Sequence, residues 1–175
     1  MKKIILVFVC LFFCNADILN HNIDDKTIIN LSKECNNGNG AYGSCVEMLE
    51  KLKLGCKKNN MNYCGEYGRI LNVDFDRREE SVSLLYKACK NGRPAYCYEL
   101  YKFDVYARGN LKRAKEVAQI ACENLGQSNE IIKKETCFMS KKIDECIKNT
   151  NDINPVKCSI EAMEKYKERE NYGRK

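Results

Sequence analysis

Cysteines are the residues of this chain whose number and spacing point most directly to a chemistry. The sequence has 12 cysteines among 175 residues. Two pairs share one spacing, with seven residues between the partners: Cys56 with Cys64, and Cys89 with Cys97. Zinc sites and thioredoxin-like sites use Cys-x-x-Cys or histidine partners. The sequence has no Cys-x-x-Cys and a single histidine, His21. We therefore interpret the cysteines as disulfide partners and expect no metal and no cofactor.

The N-terminal residues have the composition of a secretory signal peptide. A Lys-Lys pair follows the first methionine, Ile4–Cys14 form an apolar run, and small residues allow cleavage after Ala16. The run is shorter than the roughly 20 apolar residues that span a bilayer. The sequence therefore predicts a cleaved signal at 1–16 and a mature chain, 17–175, without a transmembrane segment.

Two alternatives remain open for this segment. Lipidation at Cys10 or Cys14 is one, although bulky Phe13 stands before Cys14, where lipoprotein signals prefer small residues. An uncleaved membrane anchor is the other. We expect export by the cleaved signal, either to the periplasm or out of the cell.

Export would place the mature chain in an oxidising compartment, where disulfides persist. Ten cysteines would then remain, an even number that favours a disulfide framework. A cysteine near the end of one helix can face a cysteine near the start of the next, because a tight hairpin brings their Cα atoms within roughly 4.4–6.8 Å. The predicted pairs are Cys35–Cys45, Cys56–Cys64, Cys89–Cys97, Cys122–Cys137 and Cys146–Cys158. Each short loop should add roughly 2–3 kcal/mol of stability.

An internal repeat relates two parts of the sequence. A shift of 33 residues superposes Cys64 on Cys97 and Cys89 on Cys122, and it also aligns small residues. The repeat units are about 61–92 and 94–126, with divergent helical regions at both ends.

Eight helices are predicted from apolar periodicity and from cap residues. They are 23–35, 43–57, 61–72, 76–90, 94–106, 110–125, 130–148 and 155–169. Helix pairs that are joined by short turns and repeated along a chain build an α-solenoid. The expected fold is all-α, a single α/α solenoid domain of antiparallel helix hairpins cross-linked by disulfides.

The repeat motif resembles a known family. The stretch "CGEYGRIL", beginning at Cys64, and the stretch "LLYKAC", ending at Cys89, resemble the Sel-one-like repeat (SLR), a relative of the tetratricopeptide repeat. The Cys-x7-Cys spacing is similar to that of secreted cysteine-rich SLR proteins of bacteria. The resemblance implies an α/α solenoid, export and protein interaction, and some members are described as penicillin-binding proteins or weak β-lactamases.

The second repeat departs from this pattern at one position. Tyr101 stands where the first repeat has Gly68. Because a tyrosine is much larger than a glycine, we expect the two helices of the second repeat to lie further apart.

The resemblance implies a protein or peptide partner, in the cell envelope or outside the cell, bound on the concave face of the solenoid. In related stacks the first helix of each pair lines that face. The candidate binding residues are Glu66, Arg69, Tyr98, Glu99 and Lys102. Glu66 with Arg69, and Glu99 with Lys102, could instead form ordinary surface ion pairs. Tyr98 and Tyr106 are the tyrosines that the repeat pattern leaves available to contact a partner, since aromatic residues are favoured at interface anchors.

The charge pattern argues against nucleic acid as a partner. The formal net charge is +6, but basic and acidic residues alternate along the predicted helices. Nucleic-acid binding would require a basic stripe or a basic and aromatic motif, and the sequence has neither.

Enzymatic activity remains an alternative that rests on the resemblance alone. Serine β-lactamases use Ser-x-x-Lys together with Ser-Asp-Asn and Lys-Thr-Gly, and none of these occurs in the sequence. One histidine cannot build a zinc β-lactamase site. Binding or slow hydrolysis of a β-lactam or a peptidoglycan fragment stays open without an assigned catalytic residue, and so does a purely structural role.

Overall fold

The computed structural model describes residues 23–36, 41–72, 77–126, 129–148 and 154–172. Within these ranges the chain forms eight α-helices and one π-helical segment, Asp104–Arg108, and no strand. The α-helices are α1 (Lys26–Asn36), α2 (Ala41–Lys57), α3 (Met61–Leu71), α4 (Arg78–Lys90), α5 (Pro94–Phe103), α6 (Leu111–Asn124), α7 (Glu130–Lys148) and α8 (Pro155–Tyr172). The predicted signal at 1–16 lies outside the described residues.

All eight predicted helices are confirmed, with one internal difference. The helix predicted over 94–106 is α-helical only to Phe103, and the wider π-helical segment follows. Gly109 then adopts a left-handed φ of 62°, which ends the segment. Asn110 caps α6 by accepting a hydrogen bond from the backbone N–H of Arg113. No helix in the described part of the chain is long and apolar enough to cross a membrane.

The chain divides into two compact units, Met1–Arg93 and Pro94–Lys175. In the first unit, α1 packs on α2, α2 on α3, and α3 on α4. Its core is formed by buried apolar side chains, among them Ile28, Leu31, Met48, Leu52, Tyr67 and Leu71. In the second unit, α6 packs on α5 and on α7, and α7 packs on α8. Its fully buried side chains include Leu100, Ala114, Val117, Met139, Ile143 and Met163.

Disulfides join successive helices within both units. Four of the predicted pairs are confirmed, with Cα–Cα distances of 4.9 Å for Cys35–Cys45, 4.4 Å for Cys56–Cys64, 4.7 Å for Cys122–Cys137 and 5.8 Å for Cys146–Cys158. Cys89 and Cys97 are disulfide-bonded as well. These cysteines therefore act as structural cross-links, as their spacing indicates.

A glycine allows α3 and α4 to approach each other closely. A Cβ atom on Gly68 would lie 2.9 Å from Cβ of Leu84 and 3.0 Å from the carbonyl oxygen of Ser81. The hydroxyl of Ser81 also donates a hydrogen bond of 2.7 Å to the carbonyl oxygen of Gly68. Residue 68 must therefore lack a side chain for this helix pair to keep its spacing.

We expect Gly68→Ala to lower the free energy of unfolding by about 1–3 kcal/mol, because the added methyl overlaps atoms of α4. Gly43 is the matched control, since it also lies in a helix but has no atom within 4 Å of an added Cβ. Gly43→Ala should leave stability unchanged or raise it by up to about 1 kcal/mol. Urea unfolding of the oxidised variants measures both values. Equal effects of the two substitutions would contradict the close approach at Gly68.

Candidate functional site

The sequence-predicted binding residues of the first unit form an ion pair whose carboxylate is buried and whose guanidinium is partly exposed. Glu66 is fully buried, and its Oε2 accepts hydrogen bonds of 3.1 Å from Nε and 3.0 Å from Nη2 of Arg69. A surface ion pair, which the sequence left open, would leave both groups in water. Because the carboxylate is buried, truncating Arg69 would leave it without this compensating charge. This pair has a strong structural role whether or not it contacts a partner.

The other three predicted residues lie on α5 of the second unit. Tyr98, Glu99 and Lys102 are each half-buried there. The ammonium of Lys102 donates to the hydroxyl of Tyr98 and lies 3.7 Å from the centre of its ring. An ammonium at that distance is attracted by the face of an aromatic ring. Tyr98 and Lys102 thus form a contacting pair on the surface of α5. The concave face that would join the residues of both repeats stays a prediction.

Glu135 of α7 accepts a hydrogen bond from Tyr98 of this pair. Sequence reasoning did not identify Glu135. The residue is 7% exposed. Its Oε2 accepts a hydrogen bond of 3.0 Å from the hydroxyl of Tyr98, and its Oε1 accepts one from the hydroxyl of Tyr101. The two tyrosine rings lie 5.5 Å apart between centres. We call Tyr98, Tyr101, Lys102 and Glu135 the tyrosine–glutamate cluster.

Tyr101 occupies the position that corresponds to Gly68 of the first repeat, and it has a structural role of its own. Its side chain is fully buried, and its hydroxyl reaches the carboxylate of the neighbouring helix α7. A buried carboxylate requires hydrogen-bond donors, and the two tyrosines supply one to each oxygen. The larger side chain therefore has a partner of its own. The wider spacing that we expected for the helices of this repeat stays a prediction.

Burial shifts the pKa values of Tyr98, Tyr101 and Lys102. It raises the pKa of both Tyr98 and Tyr101, and the nearby charge of Glu135 raises them further. Both hydroxyls therefore stay protonated and act as donors. Burial also lowers the pKa of Lys102, against the opposing influence of the carboxylates of Glu135 and Glu99. The ammonium of Lys167 lowers the pKa of Lys102 as well.

A second ion pair with a buried carboxylate positions the end of α5. The fully buried carboxylate of Asp104 accepts hydrogen bonds of 2.7 Å from Nε and 2.5 Å from Nη2 of Arg113 on α6. Such two-pronged contacts fix orientation as well as distance. The backbone oxygen of Asp104 also accepts from the N–H of Asn110. These contacts anchor the π-helical segment that follows Phe103.

Tyr106 is exposed, as the sequence suggested, and has a charged neighbour. The residue is 44% exposed and lies in the π-helical segment. Lys167 of α8 lies 5.5 Å from the centre of its ring and donates a hydrogen bond of 3.4 Å to its hydroxyl. The second unit therefore presents two tyrosine–lysine pairs, Tyr98 with Lys102 and Tyr106 with Lys167.

Four serine hydroxyls in the described part of the chain serve local structure. Ser81, Ser140 and Ser159 donate to backbone carbonyl oxygens of Gly68, Cys137 and Pro155 respectively. The hydroxyl of Ser44 donates to the carboxylate of Glu34. Among the described residues, no group of three or more His, Cys, Asp or Glu side chains could hold a metal ion. No nucleophile or metal ligand is assigned from these contacts.

Comparisons with protein-family models, with curated proteins and with solved structures give no match for this chain. The resemblance to SLR proteins therefore rests on the motif residues alone. The helices, the disulfides and the tyrosine–glutamate cluster are features of the structure itself and do not depend on that resemblance.

Replacing Tyr101 with Phe tests whether the buried carboxylate depends on its donors. We expect Tyr101→Phe to lower the free energy of unfolding by about 1–3 kcal/mol, because Glu135 loses one of its hydrogen bonds while buried. Tyr42→Phe is the control, since Tyr42 is 44% exposed on α2, and its effect should stay within about 0.5 kcal/mol. Denaturant unfolding of the oxidised chains measures both. A Tyr101→Phe variant as stable as wild type would show that the hydroxyl contributes nothing net.

Alkaline pH tests the same cluster without a change of side-chain shape. A tyrosine in the unfolded chain loses its proton near its ordinary pKa of 10.0, whereas folded Tyr98 and Tyr101 keep theirs to higher pH. Above about pH 10 the unfolded state therefore binds fewer protons, and stability should fall as pH rises.

Lys102 acts in the opposite direction. Its pKa in the folded protein lies below the ordinary 10.5, so its contribution to stability rises with pH and is complete once the unfolded lysine has lost its proton. Tyr63 and Lys148 also have raised pKa values and therefore also lower stability at high pH, so the difference between wild type and Tyr101→Phe is what assigns part of the fall to the cluster. Unfolding at a series of pH values, followed by tyrosinate absorbance, should show a shallower fall for Tyr101→Phe. The same slope in wild type and variant would contradict the assignment.

Proposed function

We propose that this chain is an exported protein-interaction module built of SLR repeats, and that Tyr98 and Lys102 contact the partner. The observation that carries this proposal is the fixed Tyr98–Lys102 pair, which is half-buried on α5 and held by the buried carboxylate of Glu135. The partner is a protein or a peptide in the cell envelope or outside the cell.

Preorganisation is the physical reason for choosing this pair. Immobilising a flexible side chain on binding costs roughly 0.5–1.5 kcal/mol. Lys102 is already held against the ring of Tyr98, and Tyr98 is held by Glu135, so less freedom remains to be lost. Tyrosine is also enriched among the residues that dominate binding energy. The pair therefore offers an aromatic face and a positive charge in one fixed arrangement.

The disulfide framework supports the exported part of the proposal. The bonded cysteines join successive helices in both units. Disulfides of this kind persist in oxidising compartments and are rare in the cytosol. Together with the signal-like N-terminal sequence, they favour the periplasm or the outside of the cell as the place of action.

Peptides selected from a random display library on the oxidised full chain test the binding role. We expect the dominant peptides to lose about tenfold in affinity with Lys102→Gln, which corresponds to about 1.4 kcal/mol. Tyr98→Phe should also weaken them, because the ring loses its bond to Glu135 and becomes mobile. Lys112→Gln, at an exposed position on α6, is the control that removes the same charge. Titration calorimetry measures each affinity.

Two results would overturn the proposal. Selected peptides that bind the Lys102→Gln and Lys112→Gln variants as tightly as wild type would place binding away from the pair. Covalent labelling of the oxidised chain by a fluorescent penicillin, abolished by reduction of the disulfides, would favour the alternative β-lactam-binding role instead.

A further inference from the structure

A cleft lies between α7 and α8 in the second unit. Its volume is ≈ 340 Å³, which is at the lower end of the range for small-molecule sites. Phe138 and Tyr166 line it with rings whose centres are 5.1 Å apart. Ala162 and the Cys146–Cys158 disulfide complete an apolar part of the lining. The cross-link fixes the spacing of the two helices that form the walls, so the cleft exists before anything binds.

Ion pairs compensate the acidic groups of the cleft. Glu145 accepts a contact of 2.5 Å from the ammonium of Lys142, which also lines the cleft and lies 6.0 Å from the ring centre of Phe138. Glu161 is paired at 3.9 Å with Lys157, which is not among the lining residues. Each carboxylate at the cleft thus has its own cation.

Lys165 is the cleft-lining lysine that takes part in neither of these ion pairs. It is exposed, it lines the cleft, and among the described residues it has no ion-pair partner. Lys165 therefore contributes an uncompensated positive charge to the same lining that contains the rings of Tyr166 and Phe138. A ligand that complements this arrangement has a negative group for Lys165 and an apolar body for the rings.

We propose that this cleft binds a carboxylate carried on an aromatic or apolar body, with the carboxylate on Lys165 and the body against Phe138 and Tyr166. The same chemistry has two sources, a free small carboxylic acid and the C-terminal residue of a peptide. The cleft is lined by other residues than the Tyr98–Lys102 pair, although Tyr166 lies close enough to Tyr98 to help raise its pKa, and the proposal does not depend on the proposed function. The proposed site adds a class of ligand, a carboxylate on an apolar body, that the tyrosine–glutamate cluster does not imply.

N-acetyl-phenylalanine and its amide are the first probes. Titrated into isotope-labelled, oxidised full chain, the acid should shift the NMR signals of Phe138, Ala162 and Tyr166 with a millimolar Kd. The amide has the same body without the charge and should bind clearly more weakly. The effect of the acid should also decrease as salt is raised, because the contact with Lys165 is exposed and is screened.

Lys165→Gln should weaken binding of the acid roughly threefold to fivefold, as expected for one exposed ion pair, and should not change binding of the amide. Lys167→Gln is the matched control, since Lys167 is on the same helix and contacts Tyr106 instead. Lys102→Gln should also leave the acid unaffected. That result would distinguish ligand binding in the cleft from partner binding at the Tyr98–Lys102 pair. Either proposal can be wrong while the other holds.

A second arm identifies the source of the carboxylate. A short peptide that ends in phenylalanine and its C-terminal amide are titrated in the same way. A peptide acid that binds more tightly than N-acetyl-phenylalanine indicates a chain terminus, and a peptide acid that binds more weakly indicates a free acid. Equal binding of acid and amide, shifts outside the cleft, or no shifts at millimolar ligand would overturn the proposal.

Discussion

Disulfide bonds between successive helices are the constraint on which the remaining structure depends. Five of the eight α-helices in the described ranges have only 10–14 residues, and several helix contact positions carry alanine or glycine, such as Ala114, Ala118 and Gly68. Helices of this length are marginal on their own. Each cross-link closes a short loop and removes freedom mainly from the unfolded chain. The native helices can therefore keep small residues at their contacts, where a larger apolar core would otherwise be needed.

Within this framework, buried carboxylates organise their hydrogen-bond donors within one helix or between helices. Glu66 is held by Arg69 within α3, Asp104 by Arg113 across to α6, and Glu135 by two tyrosines of α5. A buried charge is costly unless its lone pairs are satisfied. Each carboxylate therefore favours an arrangement that brings its donors within reach. In the second unit this requirement links α5 to α7 and defines the surface that carries Tyr98 and Lys102.

The sequence predicted the local features well. The helices follow from apolar periodicity and caps such as Asn110, and four disulfides follow from the position of cysteines at helix ends, because both depend on residues close in the chain. The tyrosine–glutamate cluster depends on Tyr101 and Glu135, which are 34 residues apart, and on a helix packing that no local pattern encodes. The π-helical segment was missed for a similar reason, since Asp104 finds its partner on the next helix.

The order of the cross-links has a consequence for how the chain is made. The four confirmed disulfides each join one cysteine to the very next cysteine along the chain. A chain that emerges from its N-terminus into an oxidant could therefore form each of these bonds as soon as the second thiol appears. Non-native pairing and its slow rearrangement, which takes seconds to hours, would be avoided. Oxidation in order of emergence would then lead directly to the native connectivity, with little need for a disulfide isomerase.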